Sequence, residues 1–280
     1  MIVDATGVAF GAPVEGPVVS LVPSHTETLV AIGAADRLAG RTAYCVEPAG
    51  EVERVPAFGG TKNPDVAGIV DLRPALVVAN HEENTPRAIR ALREAGVAVF
   101  VTYPRTVAEG IETIRVLGRL LGGPAPARAA ALADRLEATL AAVRARTSAR
   151  PAVRVFCPIW KSPWMPFSAD TYAHDLLAVC GGANVFADGP RRYFPVTLEE
   201  VAARRPAVAL LPDEPYRFGP ADAAEVEAAL PGVPARLVSG RHLTWYGPAI
   251  GPGLEAIERS IASASAATAR RAVRPAAPGT

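Results

Sequence analysis

The sequence predicts an α/β protein of two lobes, each built on a parallel sheet, joined by a single long backbone α-helix. Three observations predict it. Short apolar runs alternate with helical segments along the chain, the pattern of parallel strands linked by helical crossovers. Two blocks of sequence recur in the same order. Between the two copies lies an alanine-rich stretch, residues 124–148, whose Leu132, Leu136, Leu140 and Val143 fall on one stripe of a helix. About two dozen helical residues span roughly 35 Å, the width of a small domain, so this helix is expected to act as the connecting rod.

In chain order, a leader precedes an apolar run at 18–22 that reads as a buried strand. Ser24-His25-Thr26-Glu27 reads as a capping box opening a helix that Gly33 closes. A Gly/Pro-rich connection over 40–63 leads to a helix begun by Asp65. Strands are expected over 76–79 and 97–102, and helices over 85–95 and 106–121. In the second half, strands are expected at 153–157 and 235–238, with helices at 172–180, 221–230 and 253–262; Thr197-Leu198-Glu199-Glu200 is a further capping box. Residues 33–39 align with 181–187 at an offset of 181 − 33 = 148, and 65–79 with 197–211 at 206 − 74 = 132. Duplication accounts for both. The expected divisions are an N-terminal lobe over 18–121, a linking helix over 122–149, a C-terminal lobe over 150–264 and a disordered tail over 265–280.

The composition of the 280 residues, 50% hydrophobic and 20% charged, belongs to a folded globular chain. A formal charge of +1, with no basic cluster before the tail, gives no footprint for nucleic acid. No apolar run is long enough to span a bilayer, so the chain is not membrane-embedded. The N-terminus carries Asp4 and Glu15 and has no Lys or Arg before Arg37, unlike a secretory signal. As written the protein is expected in the cytoplasm, or outside it if the true start lies upstream. Cys45, Cys157 and Cys180 form no CxxC and read as reduced thiols.

Ligands of parallel sheets collect at the carboxyl ends of strands. Those ends carry Ser24, His25, His81, Glu82, Tyr103, Trp160, Glu214, His242, Trp245 and Tyr246, while Tyr44, Cys45, Trp164 and Tyr193 lie in neighbouring loops. So many aromatic side chains in a chain only 6% aromatic suit a large, flat, partly apolar ligand. His25, Cys45, His81 and His242 have no metal-ligand spacing, and phosphate cradles and nucleophile elbows are absent. No catalytic residue and no required cofactor are expected. Glu82 and Glu214 stand at the repeat offset of 132, either as charges favouring helix starts or as a symmetric pair of acidic contacts for an arginine-bearing partner.

These residues carry a resemblance. Val19-Ser20-Leu21-Val22-Pro23-Ser24-His25-Thr26-Glu27, Gly59-Gly60-Thr61-Lys62-Asn63-Pro64-Asp65 and Leu72-Arg73-Pro74-Ala75-Leu76, with Pro163-Trp164-Met165, Gly181-Gly182-Ala183-Asn184-Val185-Phe186 and Trp245-Tyr246-Gly247, resemble the helical-backbone substrate-binding proteins of ABC importers, most of all the cobalamin-binding branch. The resemblance implies two Rossmann-like lobes joined by one helix, with cobalamin, haem or a ferric chelate held in a cleft between them, and no enzymatic activity. It implies that Tyr44, Trp160, Trp164 and Trp245 are the cleft aromatics and that Glu82 and Glu214 meet arginines of the permease. Two other readings remain open: a chelatase-like enzyme handling a tetrapyrrole, and a direct metal-ion receptor using His25, Cys45, His81 and His242.

Overall fold

The computed structural model describes residues 1–273, with side chains described through 263. It divides into two compact units: Met1–Pro104, Ala108–Ala138 and Trp245–Ile250 form the first, and Arg105–Val107, Thr139–Thr244 and the chain from Gly251 onward form the second.

In the first unit, strand β1 (Val18–Ser20) leads into helix α1 (Pro23–Ala31), and β2 (Leu38–Arg41) follows. Next come α2 (Val66–Asp71), β3 (Leu76–Asn80), α3 (Pro86–Glu94), β4 (Val99–Thr102) and α4 (Val107–Leu121). The four strands are parallel in the order β2-β1-β3-β4. β1, β3 and β4 are buried on both faces, as their unbroken Val-rich sequences require. Val19, Leu21, Ile69, Val77, Leu92, Val99 and Val101 make the core of this unit.

Helix α5 (Ala125–Ser148) carries the chain from one unit to the other, the division falling between Ala138 and Thr139. Within the first unit, Arg115 of α4 donates to Asp134 and to Glu137 of α5 at 2.7 Å. Within the second, Arg146 of α5 grips Glu258 at 2.6 Å, and the Thr147 hydroxyl donates to the Val179 carbonyl at 2.9 Å.

The second unit repeats the plan with β5 (Val153–Phe156), α6 (Tyr172–Val179), β6 (Gly182–Asn184), α7 (Leu198–Ala203), β7 (Val208–Pro212), α8 (Pro220–Ala229) and β8 (Ala235–Val238). Helices α9 (Gly240–Thr244) and α10 (Ile250–Val273) follow. Its parallel order β6-β5-β7-β8 is the order of the first sheet. The repeat offset of 132 holds through the second block: α2 maps onto α7 and β3 onto β7 at both ends. Arg73 and Arg205, one offset apart, both take positive φ (49° and 46°) just before their prolines. The other block matches at Gly33 and Gly181, both at φ 81°, which end α1 and α6.

Several expectations change. α1 has no capping box: Pro23 occupies its first turn, Val22 is its cap residue, and Ser24 lies inside the helix with its carbonyl accepting from Thr28 at 2.7 Å. The box at Thr197 and Glu200 is present. β2 and β6 are additional strands, missed because Leu-Ala-Gly-Arg and Gly-Ala-Asn lack the β-branched run that marks a strand. The leader is structured: Ile2–Val3 pairs antiparallel with Ala9–Phe10, and Asp4 accepts from Arg93 at 2.7 Å and from the Val101 amide at 3.1 Å. The N-terminal lobe therefore begins before residue 18. At the other end, α10 continues to Val273, where a tail was expected from 265; its alanine-rich sequence carries a helix onward at little cost. The rest of that expected tail, 274–280, lies outside the described residues.

Candidate functional site

A sheet of order 2-1-3-4 has its switch point between its first and third strands, whose onward connections leave in opposite directions. In the first unit that point lies at the ends of β1 and β3, and two buried amides occupy it. Asn80 Oδ1 accepts from the N–H groups of Glu82 (2.8 Å) and Glu83 (3.1 Å), which turns its Nδ2 toward the carbonyl (3.1 Å) and hydroxyl (3.2 Å) of Thr102. Asn84 Oδ1 accepts from the Asn80 N–H at 2.8 Å, and its Nδ2 donates to the carbonyls of Leu21 (3.2 Å) and Thr61 (2.9 Å). Two side chains thus tie four loop and strand ends together. Sequence reasoning placed Asn80 at a strand end beside His81 and Glu82 but nominated neither it nor Asn84 for the site; an asparagine closing the apolar run Leu-Val-Val-Ala was the available signal.

This network fixes the state of His25. The Thr102 hydroxyl gives its proton to the Ala79 carbonyl (3.2 Å), so it accepts from His25 Nε2 at 2.7 Å. That arrangement calls for the Nε2–H tautomer of His25. His25 is 0% exposed, and burial pushes its pKa down to about 3, so the ring is neutral. The Tyr246 ring lies 5.4 Å away, in the segment Trp245–Ile250 that belongs to this unit. Gly247, at φ 130°, lets that segment approach α1: a Cβ there would stand 2.3 Å from Thr28 Oγ1 and 3.2 Å from the Ser24 carbonyl.

Around the network stand the accessible groups. Tyr44 is 64% exposed and packs near Gly60. His81 is exposed, with its ring 4.4 Å from that of Tyr103. Trp245 and Glu82 are half-buried, and the Glu82 carbonyl accepts from Lys62. Ser24 and Cys45 are covered: the Cys45 thiol lies 3.1 Å from the Thr42 hydroxyl, and burial pushes its pKa up.

The strand ends of the second unit are apolar instead. Trp160 is 44% exposed and edge-on to Tyr216 at 5.6 Å. Trp164, expected among the cleft aromatics, is 8% exposed and stacked on Phe218 at 5.6 Å within the core; its indole is engaged by protein on that face. Lys161 lies 5.2 Å over the same indole and pairs with Asp222 and Glu225 at 2.6 Å. Tyr193 is half-buried in a backbone bridge to Phe167. His242 is half-buried in α9, its pKa lowered by burial and by Arg241. Glu214 is half-buried against Gly240, whose N–H donates to Asp213 at 2.7 Å. Among the described residues, no three His, Cys, Asp or Glu side chains gather as a metal-binding set, so the direct metal-receptor reading lacks a donor cluster.

Residues 18–225 match the sequence profile of the family described as periplasmic binding protein, about three-quarters of the chain. The chain belongs to that family. Its members are solute receptors rather than enzymes, and the helical-backbone class expected from the sequence is the one it joins. The chain is 30% identical over 198 residues to the vitamin B12-binding protein of Vibrio parahaemolyticus serotype O3:K6, covering 70% of each. Its fold superposes on the periplasmic vitamin B12-binding protein BtuF of Vibrio cholerae with a TM-score of 0.76 at 21% identity, covering 89% of this chain and 97% of the other. It superposes on the periplasmic heme-binding protein BhuT in complex with two hemes with a TM-score of 0.74 at 25% identity, covering 89% and 98%. No described helix of this periplasmic binding protein is long and apolar enough to cross a membrane.

Proposed function

We propose that this periplasmic binding protein captures a flat metal chelate of the tetrapyrrole class, cobalamin first, and delivers it to an ABC importer outside the cytoplasmic membrane. The observation that carries the reading is the 30% identity to a vitamin B12-binding protein over 70% of both chains. The strand ends of the first unit support it: Tyr44, Tyr103 and Trp245 offer π-faces and edges for a macrocycle, while His81 supplies a polar contact. Glu82 and Glu214 are the acidic contacts for arginines of the permease.

Haem is the second reading. It is favoured by the heme-bound relative and by the pairing of His81 with Tyr103, an imidazole and a phenol beside each other, both donor types suited to ferric iron. Titrating the purified protein with cyanocobalamin, haemin and a ferric catecholate separates the readings. Saturable quenching of tryptophan emission by cyanocobalamin alone supports the first, a Soret shift with haemin the second, and no response to any of the three removes the proposal.

A further inference from the structure

We propose that His25 is a positioning residue of the binding site, a neutral Nε2–H imidazole that holds the Trp245 segment and the Tyr103 strand end in one arrangement without touching ligand or metal. The proposal deepens the ligand reading above and rests on it only for the affinity measurement. Its two contacts each sit one residue from a group nominated for the ligand. Nε2 donates to Thr102, the neighbour of Tyr103, and the ring faces Tyr246, the neighbour of Trp245. Nδ1 has no hydrogen-bond partner among the described residues and is wholly covered, so no lone pair is presented to a metal or chelate. The donor direction follows from the backbone: Glu82 and Glu83 orient Asn80, whose Nδ2 donates to the Thr102 hydroxyl, and that hydroxyl, its own proton given to the Ala79 carbonyl, accepts from Nε2 as well. Gly247 completes the clasp by letting the segment lie against α1, in the turn that carries His25. Desolvation is the whole cause of the depressed pKa, with no charged neighbour contributing.

The test combines a state measurement with two substitutions. Long-range ¹H–¹⁵N spectra of the ligand-free protein should show His25 as the Nε2–H tautomer throughout about pH 5–8, where an ordinary histidine titrates. His25→Gln places an amide donor near the Nε2 position, while His25→Leu keeps bulk without a donor. The emission of Trp245, isolated as the difference from Trp245→Phe, should shift in His25→Leu and return in His25→Gln. Affinity for cyanocobalamin should fall about tenfold in the first and recover in the second, as for the loss of one buried hydrogen bond. The proposal is overturned by an Nδ1–H or protonated ring in that pH range, by unchanged Trp245 emission and affinity in His25→Leu, or by no recovery in His25→Gln. If wild type binds none of the probes, the ligand reading falls, and the tautomer and emission still decide the role of His25. If His25→Leu does not fold, the wild-type tautomer and the Gln variant decide it.

Discussion

A methyl group at Gly247 would meet the Thr28 hydroxyl at 2.3 Å on a backbone at φ 130°, so substitution there is both crowded and strained. Gly247→Ala should lower stability by about 1–3 kcal/mol, read as a lower urea midpoint at unchanged slope. The thiols make a second prediction at this scale. Cys45, Cys157 and Cys180 are buried and free, and burial raises all three, Cys180 to about 12. An aromatic disulfide reagent should label none of them in the native protein at neutral pH and all three in guanidinium; prompt labelling of the native protein would contradict the burial. Residue by residue, the sequence was an uneven guide. Tyr44, His81 and Trp160 were nominated at loops and strand ends and lie exposed there. Ser24, His25, Cys45 and Trp164 were nominated on the same grounds and are covered, because residue type says what a side chain can do, while burial depends on neighbours far away in the chain.

At the scale of elements, Asp4 anchors the N-terminal hairpin to the outer edge of the first sheet. The Val77 amide of β3 and the His81 amide just beyond it donate to the carbonyls of Ala98 and Thr102 along β4, so Val99 and Val101 turn their peptide groups the other way. Asp4 accepts from the Val101 amide, the Ala5 amide donates to the Val101 carbonyl at 2.9 Å, and Arg93 donates to the Val99 carbonyl at 2.9 Å. Burial raises the Asp4 pKa, but hydrogen bonds from Thr6, Val8 and Val101 outweigh it and hold the carboxyl below its ordinary value of 3.8. Its ionised form therefore stabilises the fold at pH values above 3.8, and the contribution fades as pH falls through the lower folded value. Asp4→Asn should cost about 1.5–3 kcal/mol at pH 7, the range for hydrogen bonds to a charged group, and distinctly less near pH 3; an equal cost at both would refute the linkage. None of this was legible in a leader with little periodicity. By contrast, the offset of 132 gave two helices and two strands with matching ends, because a repeated block carries its caps and turns with it.

Over the whole molecule, one topology is used twice with different contents at its strand ends. The first unit closes its switch point with Asn80, Asn84, Thr102 and His25; the second places Trp164, Phe218 and Phe156 near the corresponding end. A repeated α/β plan was readable from alternation and repetition, whereas the strand order and this divergence were not, since β2 and β6 carry no β-branched run and the aligned blocks leave out the loops that differ. If Glu82 and Glu214 meet the permease, Glu82→Lys with Glu214→Lys should abolish uptake in a transport assay while leaving cyanocobalamin affinity within about twofold, as expected for carboxylates that contact the permease rather than the ligand. Normal uptake by the double variant would exclude that role.

The hairpin at the start of the chain has a practical consequence. Ile2, directly after Met1, is already paired with Phe10, and the Asp4 carboxylate seals a peptide group of β4 two positions later. An affinity tag fused without a spacer ahead of Met1 would pull on that seal, and trimming the first ten residues would leave β4 ready to zip onto a neighbour's strand. Recombinant protein intended for ligand titration should keep residues 1–10 intact and carry any handle elsewhere.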